Sequence, residues 1–278
     1  MKKLIYLATC SALAISPFAQ AVVIRHDVPD LKYRIQEAQA PAIANLPHEG
    51  HGVLIAPRWI LTAAHAAIWH PVTQVMLNGK CRKVARLVVH EGYRKLPDTL
   101  TKAGADVAPA IAFLAAIDDL ALIELAEPVS DVQPVALYLG QDEAGKPMQL
   151  IGMGATGNGE HGQPPHASHR TALRRAFNVV STADVRWLGY VFDSGPGAHP
   201  LEGMSGNGDS GGPVLVEENG QWKLAGLTSW THATGKIGEW KPGTYGSRAF
   251  AVRVSRYLDW IGRVIGTDAP PAQGVGNR

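Results

Sequence analysis

One stretch of the chain carries more information than any other, and it runs Gly206-Asn207-Gly208-Asp209-Ser210-Gly211-Gly212-Pro213. Glycine allows backbone dihedral angles that other residues avoid, so this density of glycine predicts a tight loop around Ser210. A serine hydroxyl is a poor nucleophile at neutral pH. Chemistry at Ser210 would therefore need a nearby base, a group that orients the base, and donors for an oxyanion.

Two earlier segments supply candidates for the base and for the group that orients it. Leu61-Thr62-Ala63-Ala64-His65-Ala66 ends a predicted strand in small residues, which leave room around an imidazole. Asp118-Asp119-Leu120-Ala121-Leu122-Ile123-Glu124-Leu125 opens an apolar strand with an acid that would be partly desolvated. Taken alone, such a histidine is more often a packed side chain and such an aspartate a turn former. Their occurrence together with the serine motif favours a functional interpretation.

The three segments resemble the histidine, aspartate and serine motifs of the trypsin-like (chymotrypsin-fold) serine peptidases, in that family's order along the chain. The resemblance is to a secreted, bacterial-type member. It implies that His65 is the general base, that Asp119 orients it and that Ser210 is the nucleophile. Asp119 is preferred over Asp118 because it directly precedes the apolar strand. The backbone N–H groups of Gly208 and Ser210 would form the oxyanion hole.

Other stretches within about residues 50–265 extend the resemblance, namely Ile151-Gly152-Met153-Gly154, Ser229-Trp230 and Lys241-Pro242-Gly243-Thr244-Tyr245. Gly50 and Ala66 replace the two cysteines that the family has around its histidine motif, and Met153 stands where the family usually has tryptophan. These departures bear on stability rather than on mechanism.

The resemblance also assigns a specificity pocket. Its floor lies six residues before the nucleophile, and its members would be Met204, Ser205, Ser229, Trp230, Thr231 and Gly243. Methionine offers no counter-charge to a buried ammonium, so we expect the pocket to reject lysine and arginine and to prefer medium-sized apolar side chains. That expectation holds unless Glu202 or Glu239 reaches the pocket from a loop.

A further implication concerns Asp209. In the resembled family, a freshly cut apolar N-terminal residue places its ammonium beside the aspartate that precedes the nucleophile. Val22 suits this role because it follows a predicted cleavage site and stands 43 residues ahead of His65. The alternative is that residues 22–48 form a leading strand and an arm, and that Asp209 finds another partner. Both interpretations stay open, because Ile24-Arg25-His26-Asp27 lacks the family's paired glycines.

The pattern along the chain predicts many short strands, separated by Gly, Pro, Asn and Asp at turn positions. With the resemblance, the expected fold class is all-β: two packed six-stranded Greek-key β barrels with a C-terminal α-helix. The first barrel would cover about 22–145, the second about 146–253 and the helix about 254–266, within a peptidase domain of 22–268 and ahead of a disordered tail at 269–278. The Ala-rich segment Leu96 to Ile117 is typical of a surface insertion with a helical turn, and Gly154 to His169 of an exposed loop.

Residues 1–21 have the pattern of a signal peptide, with Lys2 and Lys3 ahead of an apolar run and Ala19-Gln20-Ala21 at the cleavage site. An apolar run of about a dozen residues is too short for a bilayer, which needs roughly 20, so a membrane anchor and a lipid on Cys10 are both disfavoured. We expect a secreted protein, periplasmic or extracellular. Cleavage would leave 24 basic and 24 acidic residues, so a nucleic acid or a membrane surface is not an expected partner.

The expected partner is a protein or peptide substrate, bound by a monomer without cofactors. Cys81 would be the one cysteine left after processing, which excludes an internal disulfide and suggests a buried or inert thiol. His161, His166 and His169 have a spacing that would suit zinc, but a flexible loop is the simpler interpretation, so no metal is expected. An inactive peptidase scaffold that serves as a binding or adhesion protein is the alternative. An α/β-hydrolase is excluded, because the candidates follow one another as His65, Asp119 and Ser210, whereas that class has its serine first and its histidine last.

Overall fold

The computed structural model describes residues 22–164, 167 and 172–266, and it forms two β units followed by a short helix. The predicted signal peptide and tail, together with His166 and His169, lie outside the described residues. The strands are β1 (Val23–Ile24), β2 (Ile43–Asn45), β3 (His51–Ala56), β4 (Trp59–Thr62), β5 (Gln74–Leu77), β6 (Lys80–Val89), β7 (Ala121–Leu125), β8 (Pro147–Gly152), β9 (Gly157–Asn158), β10 (Arg174–Val179), β11 (Thr182–Ala183), β12 (Trp187–Val191), β13 (Gly203–Met204), β14 (Pro213–Glu218), β15 (Gln221–Thr231) and β16 (Arg248–Arg253). The α-helices are α1 (Ala64–Ile68), α2 (Ala108–Ala116) and α3 (Leu258–Ile265), and short 3-10 turns occupy Asp30–Lys32, Glu37–Gln39, Asp98–Leu100, Gly195–Gly197 and Val254–Tyr257.

The first unit is a closed barrel with the strand order β2-β3-β4-β7-β6-β5. Its interior is filled by branched aliphatic side chains such as Leu54, Ile60 and Ile123, all of them fully buried. Each contributes roughly 1.5–3 kcal/mol through loss of water contact. The hairpin between β5 and β6 turns on Asn78-Gly79, where both residues have positive φ, as a tight two-residue hairpin requires.

The second unit is a seven-stranded antiparallel sheet with the order β10-β8-β14-β15-β16-β12-β11. Together with the first barrel and α3 it confirms the predicted fold class. The second unit differs from the expectation in being a half-barrel of seven strands instead of a closed barrel of six. The physical reason is that β9 and β13 are only two residues long and pair with β1, which makes a separate three-stranded sheet.

The two units pack against each other through one shared apolar core. It contains Val53 and Leu122 from the first unit and Leu215 and Leu227 from the second, with Trp260 of α3 at its end. Helix α3 buries Trp260, Ile261 and Ile265 and ends at Gly266, which has a positive φ of 68°. The residues that follow β4 and β13 therefore meet in the cleft between two rigid sheets.

The Ala-rich insertion of the first unit is more structured than the sequence predicts. It holds the nine-residue helix α2, which begins beside Asp106, whose Oδ1 accepts the N–H of Ala108 at 2.8 Å. The insertion is tied to the loop after β15 by backbone hydrogen bonds: the Gly104 N–H donates to the Ile237 carbonyl, and the Val107 N–H to the Gly235 carbonyl, both at 3.0 Å. It therefore also forms a wall of the cleft.

Candidate active site

His65, Asp119 and Ser210 meet where the two units face each other. The Nδ1 atom of His65 lies 2.7 Å from Asp119 Oδ2, and its Nε2 atom lies 2.7 Å from Ser210 Oγ. The backbone N–H of His65 also donates to Asp119 Oδ1 at 2.9 Å. Two bonds to one carboxylate fix the ring plane, so the imidazole presents Nε2 to the serine.

Local sequence explains why these side chains can approach so closely. His65 lies in α1 directly after β4, where Ala63, Ala64 and Ala67 are buried and offer no bulk around the ring. Ser210 lies in the loop between β13 and β14, which comes from the second unit. The site is therefore assembled from both units and depends on their packing.

The two adjacent acids have different surroundings. Asp119 is 2% exposed and faces His65, whereas Asp118 turns away and accepts hydrogen bonds from Arg186 Nε at 2.9 Å and Tyr257 Oη at 2.7 Å. A side chain at Gly92 would collide with Asp118 Oδ2, which its Cβ would approach to 1.9 Å. The geometry thus brings Asp119, and not Asp118, to the histidine.

Ser229 has a contact that the sequence did not indicate. Its Oγ donates to Asp119 Oδ2 at 2.5 Å, so it supports the acid, although it was assigned only to the pocket wall. Burial by itself raises the pKa of Asp119. The charge of His65 and the hydrogen bonds from His65 and Ser229 outweigh burial and hold that pKa below its ordinary value.

Burial and the neighbouring carboxylate act in opposite directions on the pKa of His65. Burial alone lowers it, but the charge of Asp119 and the hydrogen bond to it are stronger and raise the pKa above its ordinary value. The side chain of His65 is 30% exposed, so it remains accessible from the cleft. Asp119 therefore both orients the ring and stabilises its protonated form.

The loop around Ser210 has donors available for an oxyanion. Gly208 has a φ of 92°, which an L side chain rarely adopts, and this supports the presence of glycine at that position. The N–H groups of Asp209, Gly211 and Gly212 all bond to carbonyl oxygens. Within the described part of the chain, the N–H groups of Gly208 and Ser210 donate to no protein atom.

Asp209 is buried behind this loop, at 3% exposure. Its Oδ1 accepts the Gly154 N–H at 2.7 Å and its Oδ2 the Gly206 N–H at 2.8 Å. Burial raises the pKa of Asp209 to about 7, although both of these N–H groups and the charge of Arg174 lower it. Gly152 makes room for the carboxylate, because a Cβ at that position would lie 2.0 Å from Asp209 Oδ1.

Val22, the predicted partner of Asp209, is also buried, at 1% exposure. The adjoining strand β1 pairs with β13, where Val23 faces Met204, and with β9, where Val23 faces Gly157. The start of the predicted mature chain is therefore held against the segment that leads to Ser210.

The residues assigned to the specificity pocket are not all found together. Trp230 lines the cleft beside Ser229, but Met204 is 1% exposed and packs in the core of the second unit. Gly243 lies against Val23, which a Cβ there would approach to 2.9 Å. The register of β15 and β16 places Ala249, and not Gly243, opposite Thr231.

Tyr190 is a neighbour of the pocket that the sequence did not indicate. The β12–β16 register pairs it with Ala249, and its hydroxyl lies 3.0 Å from the Oγ of Ser205. Of the two acids that were left open, Glu202 has both carboxylate oxygens occupied by backbone N–H groups. Glu202 accepts the N–H groups of Asp193 and His199, and Glu239 is exposed.

Two cavities flank the serine. The larger, about 780 Å³, runs from Ser210 and Trp230 past His65 to Tyr93 and to Asp98 of the insertion. The smaller, about 110 Å³, lies on the side of Leu46 and Trp69. An extended chain can thus have neighbours on both sides of a scissile bond at Ser210.

Cys81 is exposed, and its Sγ lies 3.2 Å from Gln74 Oε1. Of the two expectations, a buried thiol is therefore wrong, and an inert thiol stays a prediction. Among residues 22–164, 167 and 172–266, no three His, Cys, Asp or Glu side chains converge as a metal site would require. No helix in the same residues is long and apolar enough to cross a membrane.

Two β units with His65, Asp119 and Ser210 in the cleft between them have the architecture of the chymotrypsin-fold peptidases. The model of the trypsin family matches residues 32–261, and the chain belongs to that family.

Relatives agree with this assignment. Human transmembrane protease serine 11B is 27% identical over an alignment of 223 residues. The alignment covers 75% of this chain and 47% of that protein, so the chain spans about half the length of this relative. Among solved structures, neuropsin, a serine protease expressed in the limbic system of mouse brain, superposes with a TM-score of 0.61 at 20% identity. The superposition covers 84% of this chain and 98% of neuropsin, and it shows the shared fold.

Proposed function

We propose that this protein is a secreted serine endopeptidase that hydrolyses peptide bonds through an acyl-enzyme intermediate. The observation that carries the proposal is the continuous hydrogen-bonded chain from Asp119 through His65 to Ser210 Oγ, with 2.7 Å at each step. An inactive scaffold would be expected to lack one of these groups, and here each is present and in contact.

In the first half-reaction, Ser210 Oγ attacks the carbonyl carbon of the scissile bond while His65 Nε2 takes the hydroxyl proton. Asp119 accepts the Nδ1–H of His65 and stabilises the imidazolium that forms. The carbonyl oxygen becomes an oxyanion, which the N–H groups of Gly208 and Ser210 bind. The C–N bond then breaks, the leaving amine takes the proton from Nε2, and the acyl group stays on Oγ.

In the second half-reaction, a water molecule takes the place of the amine. His65 Nε2 accepts a proton from the water, whose oxygen attacks the acyl carbon and forms a second oxyanion. When the C–Oγ bond breaks, Nε2 returns the proton to Ser210 and the free acid leaves. His65 and Ser210 act in both half-reactions, so removal of either one ends the cycle.

For the specificity pocket we propose Ser205 and Thr231 as its lining, with Ser229 and Trp230 at the entrance. This set replaces Met204 and Gly243 and carries no charge. Tyr190 closes the space behind Ser205, so the pocket suits small to medium apolar side chains. A buried substrate ammonium would remain unpaired there, which is costly.

We also propose that residues 1–21 are removed as a signal peptide and that the new ammonium of Val22 binds Asp209. The proposal is supported by the burial of both residues and by the strand pairing of Val23 with Met204. Breaking a buried ion pair on one side costs roughly 3–5 kcal/mol, enough to disorder a loop. The protein would act on its substrates as a monomer in the periplasm or outside the cell.

Labelling with a fluorophosphonate tests the proposed function. We expect stoichiometric labelling of the folded protein and none in Ser210→Ala, together with cleavage of a denatured protein substrate by the wild type alone. Circular dichroism of both proteins controls for folding. Absence of labelling in folded wild type with the Val22 terminus would favour the binding scaffold instead.

A further inference from the structure

We propose that His51 is a positioning residue for the oxyanion loop, which we define as residues 206–211. The inference rests on the proposed function, and it assigns to His51 a part in aligning the oxyanion donors. His51 is the first residue of β3 and its side chain is 3% exposed. It lines neither of the two cavities beside Ser210, so we infer that its influence is transmitted through backbone groups.

The backbone of His51 is attached directly to the loop. Its N–H donates to the carbonyl of Ser210 at 2.7 Å, and its own carbonyl accepts from Thr62 Oγ1 at 2.6 Å. A Cβ added at Gly211 would lie 2.2 Å from the same His51 carbonyl. The backbone of strand β3 in the first unit therefore packs directly against the backbone of the oxyanion loop at this residue.

The imidazole adds a second attachment. Its Nδ1 lies 2.8 Å from Asn45 Oδ1, and its Nε2 accepts the N–H of Met153 at 3.1 Å. Because Nδ1 faces a carbonyl oxygen and Nε2 accepts a hydrogen bond, the proton is on Nδ1 and the ring is neutral. In this tautomer Nε2 has no proton for Asp209 Oδ1, which lies 3.8 Å away, so the contact is close packing rather than an ion pair.

The hydrogen bond to Met153 sets the position of the next peptide. Gly154 follows Met153, and its N–H donates to Asp209 Oδ1 at 2.7 Å, while Gly206 holds Oδ2 at 2.8 Å. Both carboxylate oxygens of Asp209 thus accept a backbone hydrogen bond. The segment that donates one of them, Met153-Gly154, is itself hydrogen-bonded to the His51 ring of β3. Gly208 and Ser210, the proposed oxyanion donors, flank Asp209 in the chain.

Loss of this anchor should affect the transition state more than substrate binding. The oxyanion exists only in the tetrahedral states, so donors that are misplaced lower kcat while KM changes little. A misplacement of about 1 Å can cost on the order of 10²-fold in rate. We expect kcat to fall roughly tenfold or more when the His51 ring, which accepts the N–H of Met153, is replaced.

Three substitutions separate the role of the ring from its bulk. In His51→Gln the amide oxygen can occupy the place of Nε2 and accept from Met153. His51→Asn places a polar group only near Asn45, and His51→Leu has neither group. Val75→Ala, a cavity in the first barrel away from the loop, is the matched control for a general loss of stability, since Val75 is 1% exposed.

The measurements are kcat and KM per fluorophosphonate-titrated site, the inhibition constant of a peptide aldehyde, and the melting temperature. We expect His51→Asn and His51→Leu to lose roughly tenfold or more in kcat and in aldehyde affinity, with KM within about twofold, and His51→Gln to recover most of the loss. Val75→Ala should lower the melting temperature and the titrated fraction but leave kcat per site unchanged.

The assignment is overturned if His51→Asn or His51→Leu keeps the wild-type kcat per titrated site and loses only thermal stability. It is also overturned if His51→Gln is no better than His51→Asn. If the wild type with the Val22 terminus is itself neither labelled nor active, the proposed function fails and the assignment fails with it. That outcome is recognised from the wild type alone, before any variant is compared.

Discussion

Ionisation of Asp209 should make the stability of the protein fall with rising pH. We expect this fall when further residues precede Val22, and not when Val22 is the free N-terminus. With the chain continuing ahead of Val22, burial raises the pKa of Asp209 from the ordinary 3.8 to about 7. The folded state then holds a proton that the unfolded state has released. The contribution of the protonated Asp209 carboxyl to the free energy of unfolding is fully present below its ordinary pKa. It is lost as the pH rises through about 7.

The size of the effect follows from the two pKa values. Between about pH 5 and about pH 8 the folded carboxyl loses its proton while the unfolded one is already ionised, so the free energy of unfolding should fall by roughly 2.5 kcal/mol. A free Val22 ammonium beside Asp209 would favour the ionised form and lower its pKa. The loss of stability over the same interval should then disappear.

Urea unfolding of four proteins measures this difference. All carry Ser210→Ala to prevent self-digestion; two begin at Val22, and two begin with one uncleavable extra residue. One of each pair also carries Asp209→Asn, and subtracting its pH dependence removes the contribution of other groups such as His65. We expect the pH-dependent loss only in the extended form with Asp209.

The result that would refute the reasoning is an equal pH dependence in the extended and Val22 forms, or none in either. Mass spectrometry of both N-termini is required, because partial trimming would blur the comparison. The matching test on the active enzyme compares kcat of the two forms without Ser210→Ala. Equal kcat values would show that the Val22 ammonium is not needed for the oxyanion loop.

Three further outcomes follow from the site. Asp119→Asn should lower kcat by a factor on the order of 10⁴, because His65 would adopt the wrong tautomer, whereas Asp118→Asn should mainly lower stability. Similar losses of kcat in both variants would contradict the assignment of the acid. The value of kcat/KM should fall as the pH falls through the pKa of His65, which lies above the ordinary pKa of histidine. The profile is measured on a substrate without titrating groups, and a midpoint below the ordinary pKa of histidine would contradict the role of Asp119. Cleavage profiling on a denatured proteome should show small to medium apolar residues before the scissile bond. A preference for arginine there would exclude the proposed pocket of Ser205 and Thr231.

Much of the site could be predicted from local sequence. The serine loop, the histidine after a strand and the acid before one are short motifs, and each depends on backbone geometry that neighbouring residues dictate. The β-strand pattern is local as well, because side chains alternate between faces with a period of two. The all-β fold class and the candidate residues His65, Asp119 and Ser210 can therefore be predicted from the sequence. Position alone favours Asp119 over Asp118, and the separate hydrogen-bond partners of the two acids give that preference a physical basis.

What the tertiary structure decided were the contacts between segments that are distant in the chain. Gly243 lies within a motif that suits the pocket wall, yet the register of β15 and β16, with its irregularity between Thr228 and Trp230, puts Ala249 opposite Thr231. Strand register depends on hydrogen bonds across the sheet, and a short motif carries no information about it. His51 is the clearest case: in the sequence it is one histidine next to a glycine. Only the packing of two β units places its ring between Asn45 and Met153, where both ring nitrogens find partners and the oxyanion loop is held.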